Sequence, residues 1–336
     1  MTQSSELTTD VTTWPPPTMV LTAGVGSRLH PLSHLKAKAA LPVAGVPLIR
    51  RILARLRAQG VRDVVLNLHH RPETIAAIVG DGSDIGLRVR YSWEPRLLGS
   101  AGGVARALPL LDAGHLLIVN GDSLTDLDLR TVWDAHLRWS ATVTMALAPF
   151  PAPGRYGGVM ISADGVVTGF RRRSEAHVAS DSRDAWHYIG VQVVQRALLA
   201  SVPTDEPLES VRDLYPTLLT GRQGAVRGFV SGAAFLDTGT VADYLHTSLE
   251  LAATEGGRPA LIGRGCRVAA SASLVDSILW DDVSVGTDCK LTRCVVTDRV
   301  NVPPGSRYES SILMRHGDCP GDVKARVDGE LAVVEL

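Results

Sequence analysis

The sequence predicts an α/β domain with a mostly parallel sheet, followed by a short, left-handed parallel β-helix. Three observations support this fold class. Apolar runs of strand length alternate with helical patterns over the first part of the chain, which is typical of βαβ units with helices on both faces of the sheet. A glycine-rich turn follows the first strand directly. Beyond about residue 258, aliphatic residues recur at every sixth position.

The elements of the α/β part follow from hydrophobic periodicity. Apolar runs predict strands at residues 19–21, 64–68, 87–91 and 116–119. Helical patterns are found at residues 74–79 and 101–111, and a further amphipathic helix begins near Leu48 and ends at Gly60. A hairpin is expected around Asp164-Gly165.

The last quarter of the chain contains apolar residues in sets of three, each six positions after the one before. The sets are Ile262, Val268 and Leu274; Leu279, Val285 and Leu291; and Val296, Val302 and Tyr308. Each set begins 17 residues after the previous one, and Leu313 stands where a fourth would begin. This spacing describes a triangular coil with one short strand per face and the aliphatic residue pointing inward.

We expect three segments: a flexible, Ser/Thr/Pro-rich lead-in over residues 1–17, the α/β domain over 18–255, and the β-helix with a C-terminal tail over 256–336. No signal peptide or membrane-spanning helix is expected, because no suitable apolar run is present. A formal charge of -1 argues against a nucleic-acid partner. None of the four cysteines forms a CxxC pair, so a cytoplasmic setting is favoured over a disulfide or zinc framework.

The turn after the first strand, from Thr22 to Arg28, is the first candidate for chemistry. A strand that feeds a tight glycine turn aims several backbone N–H groups at one point, which suits phosphate oxygens. The turn is not a dinucleotide fingerprint, because Leu29 stands where the third glycine of GxGxxG would fall. It is not a Walker A loop either, because no Gly-Lys-Ser/Thr follows.

The residues that follow make the turn specific: Arg28-Leu29-His30-Pro31-Leu32, then Lys38, then Leu41-Pro42-Val43-Ala44-Gly45-Val46-Pro47-Leu48. This stretch resembles the signature LAAGxGTRLxPLT…PKPLLPVxGKPL of the sugar-1-phosphate nucleotidyltransferases (NDP-sugar pyrophosphorylases), here of the mannose-1-phosphate guanylyltransferase type. The resemblance covers about residues 19–250 and implies a Rossmann-like fold and Mg²⁺ as cofactor. Ala37 and Ala39 depart from it, because the signature usually has prolines there.

The resemblance implies a catalytic set. Arg28 would hold the β- and γ-phosphates, and Lys38 would meet the phosphates at the reacting centre. Asp122, in Asn-Gly-Asp after an apolar strand, would bind Mg²⁺ together with Asp237. A carboxylate at that end of a parallel strand lies where α/β sheets bind ligands. The nucleotide would also contact Leu21, Ala23, Gly24, Gly26, Ser27, Glu94, Gly99 and Gly102.

The distribution of lysines supports Lys38 independently of the resemblance. The chain has only four lysines, and two of them, Lys36 and Lys38, lie in this one loop. An ammonium point charge is therefore indicated there, as at phosphate sites generally. The alternative for Lys36 is a solvated surface residue.

On the acceptor side, the resemblance implies that Lys38, Tyr156, Gly157, Arg173 and Gly190 bind the sugar phosphate. Arg172 stands where the family usually has a sugar-binding Glu, which leaves the sugar open. A carboxylate can accept from the guanine N1–H and N2–H₂ groups, so Glu94 favours GTP. An exposed strand-end Glu is the alternative interpretation.

The predicted function is transfer of a nucleotidyl group from a nucleoside triphosphate, GTP first, to a mannose-1-phosphate-type or cyclitol 1-phosphate acceptor, by a homodimer or higher homo-oligomer. One alternative is the same chemistry with dTTP or UTP and glucose-1-phosphate. Another is a non-catalytic regulatory homologue that binds a nucleotide sugar. An added acetyltransferase is disfavoured, because about three coils are short for an acyl-CoA site and His316 is the only histidine after residue 258.

Overall fold

The computed structural model describes residues 13–150, 156–172, 185–221, 224–255, 257 and 261–336. The chain divides into two compact units. The first, which we call the sheet unit, comprises Met1–Gly24, Ile52–His69 and Val79–Phe235. The second, which we call the coil unit, comprises Val25–Arg51, His70–Ile78 and Leu236–Leu336. The signature segment after Gly24 is therefore grouped with the β-helix, whereas the sequence suggested a division near residue 255.

In chain order, the helices of the described residues are α1 Leu32–Leu35, α2 Leu48–Ala58, α3 Pro72–Val79, α4 Gly99–Ala107, α5 Leu129–Trp139, α6 Arg196–Ala200, α7 Tyr215–Leu219 and α8 Val241–Glu255. A π-helical turn, Ser210–Leu214, precedes α7. Strands β1 to β13 are Thr18–Leu21, Pro42–Val43, Val46–Pro47, Asp63–Leu68, Arg88–Trp93, His115–Asn120, Ser123–Thr125, Val143–Ala148, Gly158–Ile161, Val167–Arg171, Ala185–Gln195, Val226–Val230 and Phe235–Asp237. Strands β14 to β24 are Arg267–Val268, Ser273–Val275, Ile278–Leu279, Ser284–Val285, Lys290–Thr292, Val295–Val296, Asn301–Val302, Arg307–Glu309, Ser311–Arg315, Arg326–Asp328 and Leu331–Glu335.

Among the described residues, the sheet unit contains a nine-stranded sheet with the order β10-β9-β11-β6-β1-β4-β5, and β8 joins β11 to β12. Strand β1 runs parallel to both β4 and β6, and β4 runs parallel to β5. These are the strands that the apolar runs predict. Strand β11 is antiparallel to β6 and β8, and the expected hairpin is formed by β9 and β10. The parallel part places the carboxyl ends of β1 and β6 side by side.

The last residues of the lead-in pack against the sheet unit. The rings of Trp14 and Trp133 meet edge to face, with their centroids 6.2 Å apart. Thr18 is fully buried at the start of β1. Trp14 of the expected lead-in therefore contacts the sheet unit, residues 1–12 lie outside the described ranges, and the flexibility of the lead-in remains a prediction.

The β-helix of the coil unit has the register that the six-residue spacing predicts. One face stacks Val268, Val285 and Val302, and the next stacks Leu274, Leu291 and Tyr308. The third face stacks Leu279, Val296 and Leu313. Most of these side chains are buried together in one core. The sequence did not predict β24 and β23, which continue the third face in antiparallel orientation after β22.

The signature segment forms a β-hairpin in the coil unit. Strands β2 and β3 pair in antiparallel orientation, and Ala44 and Gly45 between them both have positive φ, 45° and 74°. Two consecutive positive φ angles are typical of the tight turns that match strand twist. Across all the residues that the structure describes, every helix is too short or too polar to cross a bilayer.

Candidate active site

In the sheet unit, candidate residues lie where β1 and β6 end. The Gly121 N–H donates to the Leu21 carbonyl oxygen at 2.9 Å. A Cβ at position 121 would lie 2.5 Å from that oxygen, so only glycine fits between the two strand ends. Asp122 follows directly and is half-buried. The strand ends thus fix the backbone beside the carboxylate that the resemblance assigns to metal binding.

A bulge in β11 lies next to the end of β6. The register between β11 and β8 shifts between Tyr188 and Gln192, and Gly190 within the shift has a φ of 80°. A Cβ on Gly190 would lie 2.9 Å from the Asn120 Cβ and 3.0 Å from the Ser123 Oγ. Bulges often redirect side chains near active sites. This glycine is the one that the resemblance assigns to sugar binding.

The hydroxyl of Tyr188 is buried without a hydrogen-bond partner among the described residues. Burial raises the pKa of Tyr188 well above its usual value, with smaller contributions from Tyr215 and from the charge of Asp122. The hydroxyl therefore stays protonated and keeps a hydrogen to donate. A buried hydroxyl of this kind is costly unless a ligand or a water completes it. Sequence reasoning missed Tyr188, whose only signal is its place beside the Gly190 bulge.

A cavity of about 590 Å³ opens beside these strand ends. It is lined by Ser100, Asn120, Phe170, Arg171, Arg172, Tyr188, Glu209, Ser210, Val211, Arg212, Pro216 and Leu219. Its volume lies in the range of small-molecule sites. Arg172, flagged in the sequence as a departure, lies in this lining; Arg173 falls outside the described residues.

Gly99 and Gly102, at the start of α4, allow a close approach by the segment 206–210. A Cβ on Gly99 would lie 2.7 Å from the Leu208 carbonyl oxygen, and one on Gly102 would lie 2.9 Å from that of Glu206. The Glu209 carboxylate accepts from the Ser100 N–H at 3.0 Å and from its hydroxyl at 2.6 Å. The Glu209 carboxylate therefore lies at the start of α4. Contact of the two glycines with nucleotide remains a prediction.

Glu94 is fully buried, which excludes the exposed strand-end alternative. One carboxylate oxygen accepts from the Asn67 Nδ2 at 2.7 Å, and the other accepts from the Leu98 N–H at 2.9 Å. Asn67 Oδ1 in turn accepts from the Thr22 N–H at 2.7 Å. Glu94 therefore ties the turn before α4 to the end of β1. Reading guanine would require it to exchange these partners, and that role remains a prediction.

In the coil unit, three predicted site residues lie close to two glycines. Gly26 has a φ of 66°, and a Cβ there would lie 3.3 Å from the Lys38 Cβ. A Cβ on Gly239 would lie 3.1 Å from the Arg28 Nη2 and 2.9 Å from the Asp237 Oδ2. Arg28 and Asp237 therefore approach the same backbone position. Asp237 is held in turn by the Thr247 hydroxyl, which donates to its carbonyl oxygen at 2.7 Å.

The other predicted residues belong either to the nucleotide turn after β1 or to the acceptor-side segment that begins at Tyr156. Leu21 is half-buried and Ala23 is buried where β1 ends, whereas Gly24 and Ser27 are exposed. A Cβ on Gly24 would meet no atom within 4 Å. The ring of Tyr156 lies 4.4 Å from that of His187, between centroids. Gly157 follows it and is exposed. The open space above Gly24 is compatible with a phosphate.

Within the described residues, no group of three or more His, Cys, Asp or Glu side chains could hold a metal ion. This does not conflict with Mg²⁺, which usually takes one or two protein carboxylates and completes its shell with waters and substrate phosphates. Asp122 in the sheet unit and Asp237 in the coil unit each carry carboxylate oxygens, the hard donors that Mg²⁺ prefers, and their binding of the ion remains a prediction. The donor chemistry therefore fits the ion that the resemblance implies.

The first part of the chain is a parallel sheet with a glycine turn and a carboxylate at its strand ends, and the last part is a coil of six-residue repeats. Together they define a nucleotidyltransferase with a hexapeptide β-helix. The chain belongs to the nucleotidyl transferase family, whose pattern matches residues 17–254. A second pattern, the GlmU-like C-terminal hexapeptide, matches residues 255–308. The enzyme class expected from the sequence, a sugar-1-phosphate nucleotidyltransferase, is confirmed.

Similar proteins agree with this assignment. The chain is 30% identical over 300 residues to a mannose-1-phosphate guanylyltransferase of Mycobacterium tuberculosis, covering 87% of this chain and 82% of the relative. It is 28% identical over 236 residues to a D-glycero-alpha-D-manno-heptose 1-phosphate guanylyltransferase of Aneurinibacillus thermoaerophilus, covering 69% of this chain and 97% of that protein. The crystal structure of HddC from Yersinia pseudotuberculosis matches with a TM-score of 0.61 at 21% identity, over 70% of this chain and 99% of HddC; it shows the same fold.

Proposed function

We propose that the protein transfers a guanylyl group from GTP to a sugar-like 1-phosphate of the mannose-1-phosphate or cyclitol 1-phosphate type and releases pyrophosphate. The approach of Arg28 and Asp237 to Gly239, with Lys38 packed against Gly26, carries the proposal. Two cationic side chains of the signature and the Asp237 carboxylate thus belong to one compact unit. The two similar guanylyltransferases support GTP as the nucleotide.

The proposed reaction is an in-line displacement. An oxygen of the sugar 1-phosphate forms a bond to the α-phosphorus, and the bond from that phosphorus to the oxygen bridging the α- and β-phosphates breaks. Pyrophosphate leaves with the electron pair. The nucleophile is already anionic, so no catalytic base is needed, and the protein acts by positioning and charge neutralisation. Arg28 would stabilise the charge on the departing pyrophosphate, and Lys38 would stabilise the charge at the reacting centre.

Mg²⁺ is the proposed cofactor, with Asp122 and Asp237 as its protein ligands. When bound, it would withdraw charge from phosphate oxygens as a Lewis acid. Asp122 sits half-buried at the end of a parallel strand, and the backbone of Asp237 is fixed by Thr247. Each carboxylate offers the hard oxygen donors that Mg²⁺ prefers.

The cavity of the sheet unit is the proposed acceptor pocket. Its lining includes Asn120 and Tyr188, and the Tyr188 hydroxyl has no hydrogen-bond partner among the described residues. Both side chains are of the kind that hydrogen-bonds to the hydroxyl groups of a sugar or cyclitol ring. Arg172 in the same lining would favour an acceptor with an electronegative substituent near the ring. The pocket thus supports a polyhydroxylated 1-phosphate without choosing among rings.

We further propose a cytoplasmic homodimer or higher homo-oligomer. All four cysteines are free thiols, which supports a reducing compartment. Light scattering of the purified protein would give the oligomeric state, and a strictly monomeric protein would contradict this part of the proposal.

The test is pyrophosphate release with Mg²⁺ across five nucleoside triphosphates and a panel of 1-phosphates of mannose, glucose, heptose and cyclitols. Release that requires GTP together with one acceptor is the expected result. Release with dTTP or UTP and glucose-1-phosphate would replace the substrate assignment and keep the reaction. Nucleotide binding without turnover on any acceptor would support the regulatory homologue and reject the enzymatic proposal.

A further inference from the structure

We propose that Lys36 is a positioning residue through which the β-helix holds the loop that carries Lys38. We call residues 36–42 the lysine loop. Side chains of the β-helix and α8 contact this loop on both sides of Lys38, through Lys36 and through Pro42. The inference rests on the proposed phosphate role of Lys38. It assigns to the β-helix an indirect part in catalysis: its side chains would hold the lysine loop in place without contacting the substrate.

The first contact joins Lys36 to two β-helix residues. The Lys36 Nζ lies 2.6 Å from the Asp298 Oδ2 and 4.7 Å from the centroid of the Trp280 ring. The two charged side chains are only 23% and 25% exposed, so the pair is screened less than an exposed surface pair. The aromatic face adds a cation–π attraction. Lys36 is therefore directed toward the β-helix, in contrast to the solvated residue that the sequence left open.

The second contact lies at the other end of the loop. Trp280 is fully buried, and its Nε1–H donates to the Tyr244 Oη at 3.0 Å. The Tyr244 hydroxyl donates to the Pro42 carbonyl oxygen at 2.6 Å. Burial raises the pKa of Tyr244, so the hydroxyl stays protonated and remains a donor. Trp280 thus takes part in both contacts.

The backbone between these contacts explains why they are needed. Ala37 and Ala39 are buried at positions where the family signature has prolines. Proline restricts the backbone φ angle, whereas alanine leaves the loop more conformational entropy to lose when it is ordered. The Ala37 N–H donates to the Thr74 Oγ1 at 3.1 Å, a bond that proline could not make. Restraint by proline rings is thus replaced by restraint from outside the loop.

The kinetic test compares Lys36→Met and Asp298→Asn with the pair of changes combined. Because small displacements of a catalytic group cost up to about 10²-fold, we expect each single change to lower kcat about 10-fold with little effect on the acceptor KM. The combined variant should be no worse than either single one, since both remove the same interaction. Lys36→Arg should recover most of the rate. Lys290→Met, at an exposed β-helix lysine, is the matched control and should match the unchanged protein.

An unchanged kcat for Lys36→Met, or losses that multiply in the combined variant, would overturn the proposal. Backbone amide exchange gives a second readout that does not depend on turnover. The N–H groups of Ala40 and Leu41 donate to the carbonyl oxygens of Ala37 and Lys38, so opening of the loop would expose them. We expect faster exchange at Ala40 and Leu41 in Lys36→Met and in Tyr244→Phe than in Lys290→Met; equal exchange in all three would reject the restraint. If no substrate pair turns over, the proposed function fails while the exchange result still decides this inference.

Discussion

The sheet unit and the coil unit hold their candidate residues in different ways. In the sheet unit, strand ends approach so closely that a Cβ at Gly121 or Gly190 would lie within 3 Å of a neighbouring atom. In the coil unit, side chains provide the contacts: Lys36 pairs with Asp298, and the Tyr244 hydroxyl donates to Pro42. One unit is therefore sensitive to changes of backbone shape, and the other is sensitive to changes of charge and hydrogen bonding.

The difference follows from how each fold buries its apolar surface. Adjacent strands of a sheet lie about 4.8 Å apart, so their ends leave little room for side chains. In a β-helix the aliphatic residues point inward, as Val285 and Leu291 do, and the polar residues of each coil point outward. An outward-pointing Asp298 can therefore pair with the lysine loop. Changes in the two units should consequently have different signatures.

The largest effect is expected for Asp122→Asn. Losing one key charged group at a phosphoryl-transfer site costs on the order of 10²-fold in rate, and the amide keeps the shape of the side chain, so stability should change little. Initial rates of pyrophosphate release on the true acceptor would measure this. The control is Asp112→Asn, at an exposed aspartate of the same unit. A rate for Asp122→Asn within about twofold of the control would remove Asp122 from the site.

The next largest effect is expected for Gly190→Ala, which tests the backbone side of the comparison. The alanine must keep a φ of 80° and place its Cβ 2.9 Å from that of Asn120. Strain of this kind costs about 1–3 kcal/mol, to which the steric clash adds. Urea unfolding would give the loss. Gly80→Ala is the matched control, because Gly80 has a φ of 57° but nothing within 4 Å of its added Cβ. Equal losses in both variants would show that the close approach contributes nothing.

The repeating parts of the fold were predictable from local patterns. Buried strands such as β1 and β6 read as apolar runs, because both faces of a parallel sheet are covered. The β-helix register was readable because inward positions such as Val285 and Val302 recur at a fixed interval. Arg28 and Lys38 were found because a long signature surrounds them. Their neighbours Gly26 and Gly239 could be placed only by the structure.

Contacts between residues distant in sequence were not predictable. Glu94 reads as a strand-end carboxylate, and only the fold shows that Asn67 and Leu98 take both of its oxygens. An inward register in the β-helix does not tell which element packs on its outer face, so the pairing of Lys36 with Asp298 was missed. Tyr188 was missed because the register shift that follows it in β11 leaves no mark in the sequence pattern. Sequence periodicity predicts which face of an element is buried. It does not predict which other element packs against that face, and this can be read only from the three-dimensional structure.

A smaller effect, tied to pH, is expected in the sheet unit. Burial and then the neighbouring His115 lower the pKa of His136 to about 3, from about 6.5 in the unfolded chain. Below pH 6.5 the unfolded chain therefore binds a proton that the folded protein does not, and stability falls as the pH falls toward 3. The expected loss from this residue is about 1.4 kcal/mol between pH 7.5 and 5.5.

Urea unfolding of His136→Gln at several pH values would test this. The variant should show a weaker dependence on pH between 6.5 and 3 than the unchanged protein. His246→Gln, at a histidine whose side chain is 78% exposed, should keep the full dependence. Identical pH profiles for the His136 variant and the unchanged protein would mean that folding does not change the pKa of His136.

The smallest effect is expected for Arg51→Lys, which tests the side-chain part of the comparison away from the lysine loop. Arg51 donates to the Val43 carbonyl oxygen at 2.8 Å, to that of Ala44 at 3.1 Å, and to the Glu255 Oε1 at 2.8 Å. One ammonium group cannot reach three acceptors spread across a planar guanidinium, so a loss of about 1 kcal/mol is expected. Arg264→Lys, in an exposed pair with Asp281, should cost less. Equal melting temperatures for the two variants would show that the β2–β3 hairpin holds its shape through its own turn.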